Sequence, residues 1–300
     1  MPKMPKMPKM LKMLKMNRQN KKIDIKLFYI INFIIQNMRL ILETREKAQK
    51  FAEIFKNLKN VVDEINMTFT PNNIYMQGMD NTHALLFEMI LEKDWFDTYE
   101  ATEEDTFGMH CATFFQIINC FKENQTIEIK LEPIDDYLTI IFAGENQIHK
   151  AFEMARIEID SQLLDIPEVE YEVDICFNSN EFSELIKETA IFNDTINIKF
   201  TEENIKMIAS GTLGKLTATI NEDDIIMFSI EEGCNLNLNY TLGFLNKICG
   251  FSRLNNEIQV HCSQETPMKI QYNLDKTEAD SEDIAKSYCR FFIAPKIEDN

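Results

Sequence analysis

"INMTFTPNNIYM" at residues 65–76 returns as "INIKFTEENIKM" at residues 196–207, and the two stretches agree at seven of twelve positions. No residue type dominates this composition, so such agreement is hard to reach by chance. Self-similarity at a fixed offset marks a duplicated structural unit. The offset is 131 residues. Carried outward, it sets Phe51, Glu53 and Lys56 against Phe182, Glu184 and Lys187, and Asn124 and Ile127 against Asn255 and Ile258. One register holds across both halves.

Within each copy a helical pattern precedes alternating apolar residues. Phe51, Phe55, Leu58 and Val62 recur at helix spacing, as do Phe182, Leu185, Ile186 and Thr189 behind a cap at Asn178 with Glu181 three residues on. A second helix is predicted in "ATFFQIINCF", with Phe114, Phe115, Ile118 and Phe121 on one stripe, and in its counterpart "TLGFLNKICGF". "TIEIKLEP", "YLTIIFAG", "NLNLNY", "EIQVHCS" and "MKIQYNL" read as strands. The plan is α+β: two tandem similar domains, each a sheet backed by two helices.

A length of 300 residues, 45% hydrophobic, fits two domains. Seven cysteines, an odd number without a C-x-x-C pair, read as reduced thiols in an intracellular, reducing compartment. Net charge is −18, unevenly spread. Residues 1–37 carry nine Lys/Arg against one acid, leaving −26 for residues 38–300. "MPKMPKMPKMLKMLKM" is a basic low-complexity tract, expected to be disordered and dispensable for assembly, or to follow from a misplaced start codon. "LFYIINFII" lacks a following small-residue cleavage site and is too short to span a bilayer, so no membrane role is expected; a secreted or membrane-anchored protein is the minor alternative, against which the free-thiol pattern argues.

Catalytic constellations are scarce. "SGTLGKL" at residues 210–216 lacks the glycine spacing and the hydroxyl after Lys215 that a phosphate loop needs, and reads as a turn between strands. His83, His110, His149 and His261 stand singly, away from cysteines at zinc-ligand spacing. The acidic pairs Asp135–Asp136 and Asp223–Asp224 read as solvated turns. Neither an enzyme nor a bound cofactor or metal is expected.

"QGMDNTHALL", "FDTY", "LLDIPEVEY" and "FFIAPKIEDN" resemble proliferating cell nuclear antigen, the eukaryotic DNA sliding clamps, and the resemblance covers residues 38–300. It implies a DNA clamp fold whose two domains, three copies over, close into a pseudo-six-fold homotrimeric ring. The ring would encircle double-stranded DNA without reading its sequence, serving replication and repair. The expected division is an extension at 1–37, a first clamp domain at 38–158, an interdomain linker at 159–171 and a second domain at 172–300. Implied partners are a clamp loader, DNA polymerase and other proteins carrying clamp-binding peptides. The implied location is the nucleus, or the replication compartment of an infected cell if the richness in Asn, Ile and Lys reflects an AT-rich genome that is viral rather than cellular.

A ring that slides needs interchangeable phosphate contacts on its inner helices. Arg45, Lys56 and Lys59 fall within a sector of about 60° on the first helix, and Lys187 occupies the repeat position of Lys56. With the resemblance, the DNA-contacting candidates are Arg45, Lys50, Lys56, Lys59, Lys122, Lys187, Lys247 and Arg253. Gln116, Asn119 and Gly250 stand where the family usually has lysine, which implies a less basic channel. The partner-peptide pocket implied by the family would use Met79, His83, Leu86, Leu164, Ile166, Pro167, Tyr171, Pro267, Phe292, Ile293, Ala294, Pro295, Lys296 and Ile297. Two other classes stay open at this point: a monomeric or dimeric clamp-like polymerase accessory factor, and an acidic metal-dependent hydrolase. Strands near "YEVDICFNSN" are the expected subunit interface, together with the end of the first-domain sheet.

Overall fold

Ile127, Ile129 and Leu131 are fully buried, while Thr126, Glu128 and Lys130 between them are not, which is the period-two burial of a sheet with one covered face. The same alternation recurs through a computed structural model that describes residues 38–122, 124–132, 136–160, 162–275 and 285–296. The basic extension and Ile297 lie outside the described residues.

The first half runs β1 (Met38–Leu42), α1 (Arg45–Leu58), β2 (Glu64–Phe69), β3 (Asn73–Met79), β4 (Leu85–Glu92), β5 (Thr98–Ala101), β6 (Asp105–His110), α2 (Cys111–Ile118), β7 (Thr126–Leu131), β8 (Tyr137–Ala143) and β9 (Lys150–Ala155). The second repeats that order with β10 (Val173–Asn178), α3 (Ser179–Thr189), β11 (Thr195–Thr201), β12 (Ile205–Gly211), β13 (Gly214–Ile220), β14 (Met227–Ile230), β15 (Asn235–Thr241), α4 (Leu242–Cys249), β16 (Glu257–Cys262), β17 (Met268–Asn273) and β18 (Tyr288–Ile293).

Each half divides its strands between two sheets. The first has β5-β1-β7-β8-β9 and β4-β3-β2-β6; the second has β14-β10-β16-β17-β18 and β13-β12-β11-β15. β4 pairs antiparallel with β18, fusing two of the four layers into a nine-stranded sheet that crosses the domain boundary. At that junction Phe87 faces Phe291 with ring centroids 5.4 Å apart, Phe251 packs 4.9 Å from Phe291, and Arg290 donates to the buried Glu88. Burying three rings there contributes several kcal/mol.

The helices cover the sheets through apolar stripes. In α1 the stripe is Ala48, Phe51, Ile54, Phe55 and Leu58, and the rings of Phe51 and Phe55 meet edge-on at 4.9 Å, with Phe114 of α2 4.4 Å from Phe55. Val62, expected on this helix, is buried in the loop beyond it. Asn178 caps α3 as expected, accepting from the Asn180 and Glu181 amides at 3.0 and 3.3 Å. α1 packs on α2, α3 packs on α4, and the 3-10 turn Gly250–Arg253 touches α1, α3 and α4, so helices of both domains are neighbours. A Cβ on Gly250 would lie 2.8 Å from the Asn57 Oδ1, so glycine there admits a buried α1 side chain. "SGTLGKL" spans the end of β12, the two-residue turn at Thr212 and Leu213 and the start of β13, in keeping with the turn expected there.

α1 begins on a side-chain platform from another segment. Asp97 accepts from the Glu43 and Thr44 amides at 2.7 and 3.0 Å, from the Thr44 hydroxyl and from the Lys47 ammonium. Burial alone would raise this carboxyl, but the bonds outweigh it and hold the pKa at about 2, below the ordinary 3.8. A depressed carboxylate pKa stabilises the fold above the unfolded value and loses that effect as pH falls from about 4 to about 2. Discounted for solvent screening, Asp97→Asn is expected to cost about 1–2 kcal/mol at neutral pH. Denaturant unfolding at several pH values checks this; a cost unchanged at pH 2 contradicts it.

All seven cysteines are free thiols, and five are buried. Burial pushes Cys111 and Cys249 up to about 12 and Cys176 up to about 11, which leaves them unreactive.

Candidate functional site

The basic candidates divide between α1 and the turns that end the other helices. Arg45 is exposed in the first turn of α1. Lys50 lies 3.4 Å from Glu46 and Lys56 lies 2.8 Å from Glu53, partly exposed pairs worth about 1 kcal/mol or less that an incoming phosphate can replace. Lys59, which caps α1, holds its ammonium 4.3 Å over the Phe115 ring of α2. Lys122 follows α2 and Lys187 is exposed in the last turn of α3. Lys247 sits in the last turn of α4, 6.0 Å over Phe244. Arg253 and Lys50, one cation from each domain, line a cleft of about 550 Å³ that they share with the carboxylates of Glu46, Glu257 and Asp275.

Acids that were not among the sequence candidates share these faces. Glu181, Glu184 and Glu188 are exposed on α3, where Lys187 is the lone cation, and Gln116 on α2 and Asn119, which caps it, are exposed as well. Their 3- and 4-residue spacing was the available signal. Basic character therefore concentrates on α1 and the turns at Lys122 and Arg253.

The peptide-pocket candidates converge where β3, β4 and β18 end. Met79 pairs with Leu86, and Leu86 pairs with Phe292 on its other side. The turn before β4 is organised by the buried Asp80, whose carboxylate accepts from the Thr82, Ala84 and Leu85 amides at 3.0, 2.9 and 2.8 Å. This holds the exposed His83 at a φ of 58°. Burial would raise Asp80, but these bonds keep its carboxyl below the ordinary value. The Ala294 amide donates to the Ala84 carbonyl at 3.1 Å, placing Ala294 and the half-buried Pro295 beside that turn. Pro267 adjoins them because the next residue, Met268, pairs with Ile293.

The linker passes over this ground. The Ile157 amide donates to the Gly108 carbonyl at 3.0 Å, and Asn66 Nδ2 donates to the Ile159 carbonyl at 3.2 Å. A Cβ on Gly108 would stand 2.2 Å from the Ile157 carbonyl oxygen, so glycine is what permits the approach. Leu164 is 47% exposed, Ile166 is half-buried and Pro167 is exposed. At the linker's end the Tyr171 ring lies 5.5 Å from His261 and 5.0 Å from the Lys269 ammonium, a cation–π contact.

Two candidates fall outside this cluster. Ile293 is fully buried opposite Leu85, a core position set by strand alternation. Lys296 turns to the second domain, its amide donating to the Asn239 carbonyl at 2.7 Å and its ammonium to the Thr195 hydroxyl at 2.8 Å. The buried polar residues Gln77 and Glu88, beside Tyr75 and Arg290, were missed because nothing local in sequence marks a polar side chain inside a sheet. The expected interface strand near 171–180 is also corrected: β10 is paired on both sides, by β14 and β16, and has no free edge.

Comparison with known proteins is consistent along the chain. The family model for the N-terminal domain of proliferating cell nuclear antigen matches residues 41–163, and that for its C-terminal domain matches residues 165–287. Proliferating cell nuclear antigen of Chaetomium thermophilum is 25% identical over 267 residues, which cover 87% of this chain and all of the relative. The crystal structure of the proliferating cellular nuclear antigen from Entamoeba histolytica matches with a TM-score of 0.76 at 19% identity, covering 87% of this chain and 100% of that one, a likeness of fold. With both domain models matched in tandem on a duplicated α+β clamp fold, the chain belongs to the proliferating cell nuclear antigen family and is a DNA sliding clamp, a processivity factor.

Proposed function

We propose that three copies join head to tail into a ring around duplex DNA, opened and closed by a clamp loader in the nucleus, and that proteins such as DNA polymerase dock by a short peptide under the linker. The observation that carries the ring is the β4–β18 junction inside one chain. By the internal repeat β18 corresponds to β9 and β4 to β13, yet β9 and β13 are sheet edges. The other edges, β5, β14, β6 and β15, are edges in both copies. Two complementary edges on one chain are the condition for a heterologous, ring-forming contact.

The repeat also sets the register. Ile140 pairs with Phe152 as Ile270 pairs with Phe291, and Met76 pairs with Met89 as Met207 pairs with Ala218. Phe291 opposite Phe87 then becomes Phe152 opposite the next subunit's Leu216, and Phe292 opposite Leu86 becomes Glu153 opposite Lys215. Apolar meets apolar and acid meets base, although neither property entered the alignment. Leu213, 86% exposed, and Ile148, 77% exposed, adjoin opposite ends of this contact. Directly opposed residues on antiparallel strands have Cα atoms about 4.5–5.5 Å apart, within disulfide reach. Glu153→Cys combined with Lys215→Cys is therefore expected to give covalent three-chain species on oxidation. A pair shifted by one residue, Glu153→Cys with Leu216→Cys, should give little. The reverse result contradicts the register.

For DNA, the exposed Arg45, Lys122 and Arg253 and the partly exposed lysines of α1 supply sequence-independent phosphate contacts. The Debye length of about 8 Å at physiological salt lets a local basic lining act despite the acidic chain. For peptides, Met79, His83, Leu86, Leu164, Ile166, Pro167, Tyr171, Pro267, Phe292 and Pro295 supply an apolar cleft whose desolvation drives binding.

A further inference from the structure

The linker is held over β3 by a side chain that no pocket argument requires. Gln77 is buried in the middle of β3, and it meets Leu164 at two points: its Oε1 accepts from the Leu164 amide at 2.7 Å, and its Nε2 donates to the Leu164 carbonyl at 3.0 Å. A side chain thus copies the pairing that a neighbouring strand would offer. We propose that Gln77 is a positioning residue, a two-point clamp that fixes the linker at Leu164 and so presents Leu164 and Ile166 to a partner peptide as a preformed wall. The inference rests on the peptide-binding reading of that cleft.

Proton accounting fixes the amide's orientation. The Tyr75 hydroxyl donates its one proton to Glu88 at 2.9 Å, and Glu88 accepts from Arg290 on its other oxygen. Burial, then the Glu88 carboxylate, push the Tyr75 phenol well above its ordinary pKa, so it keeps that proton. Its oxygen is left as an acceptor, and the Gln77 NH2 fills it at 2.9 Å. With Nε2 turned to Tyr75, Oε1 faces the Leu164 amide. Arg290 comes from β18 and Glu88 from β4, so the chain Arg290–Glu88–Tyr75–Gln77–Leu164 runs from the second domain through the first to the linker. Preorganising a wall raises affinity by removing the ordering cost from the binding step.

The test uses the full chain, Gln77→Ala and the isosteric Gln77→Glu, with hydrogen exchange at the Leu164 amide and calorimetry with a synthetic peptide carrying the aliphatic and aromatic anchors of a polymerase subunit. Both variants should speed Leu164 exchange and weaken the peptide by about tenfold, the scale of two partly exposed hydrogen bonds. Glutamate fills the same volume but sets an oxygen against the Leu164 carbonyl, so a packing role would spare Gln77→Glu. Unchanged Leu164 exchange, or faster exchange with unchanged peptide affinity, overturns the proposal. If the native chain fails to bind the peptide, the pocket reading falls and the proposed positioning role with it, while Leu164 exchange still judges the clamp itself.

Discussion

Leu216→Asp is expected to turn a three-chain assembly into single folded subunits. Leu216 lies on the β13 edge, half-buried, with Lys215 and Thr217 exposed on either side, so within one chain an aspartate there meets water at little cost. In the proposed ring it would face Phe152, whose ring already packs 5.7 Å from Phe142, and an unpaired carboxylate would be buried at every subunit contact. The cost is on the order of several kcal/mol per contact. Light scattering at micromolar concentration reads it directly. Reversing Glu153 to Lys should weaken assembly less, by about 1 kcal/mol per contact, and adding Lys215→Glu should restore it. Retention of the trimer by Leu216→Asp would place the interface elsewhere.

The second large effect separates the two proposed surfaces. Ile166→Ala with Pro295→Ala should reduce peptide affinity at least tenfold, since truncating apolar anchors in a desolvated cleft typically costs more than 1 kcal/mol each. Lys56→Glu with Lys187→Glu should weaken DNA binding and flatten its salt dependence, because fewer counterions are released. Folding should survive both. Lys187 is exposed, and Lys56→Glu sets like charges beside Glu53 at a cost of a few tenths of a kcal/mol. Salt-titrated DNA binding and peptide calorimetry on confirmed trimers check the separation. Loss of peptide in the lysine variant, or of DNA in the pocket variant, would show that the two sets are assigned to the wrong surfaces.

Much of the fold was legible because its signals are local. The Asn178 cap needs only its own next turn, and the stripe of Phe114 and Ile118 needs only helical spacing. The doubled sequence announced the tandem architecture before any element was placed. Strand pairing was not legible. "YEVDICFNSN" reads as a good strand, but nothing in those residues says that β14 and β16 occupy both its edges. Ile293 shows the same gap at a single residue: its neighbour Phe292 is half-buried, and alternation sends Ile293 into the core. Of the charged candidates, Lys56 and Lys187 lie on helix faces where the repeat places them, and the acids around Lys187 follow from the same helical spacing. The Gln77 clamp joins residues far apart in the chain, and only the folded linker brings them together.

Processivity on DNA requires ring closure, because an open subunit has no topological hold on the duplex. The native protein's mass in solution tests it most directly. Light scattering across a micromolar dilution series should return three times the 35.2 kDa of one chain. A mass of one or two chains throughout that range would contradict the ring.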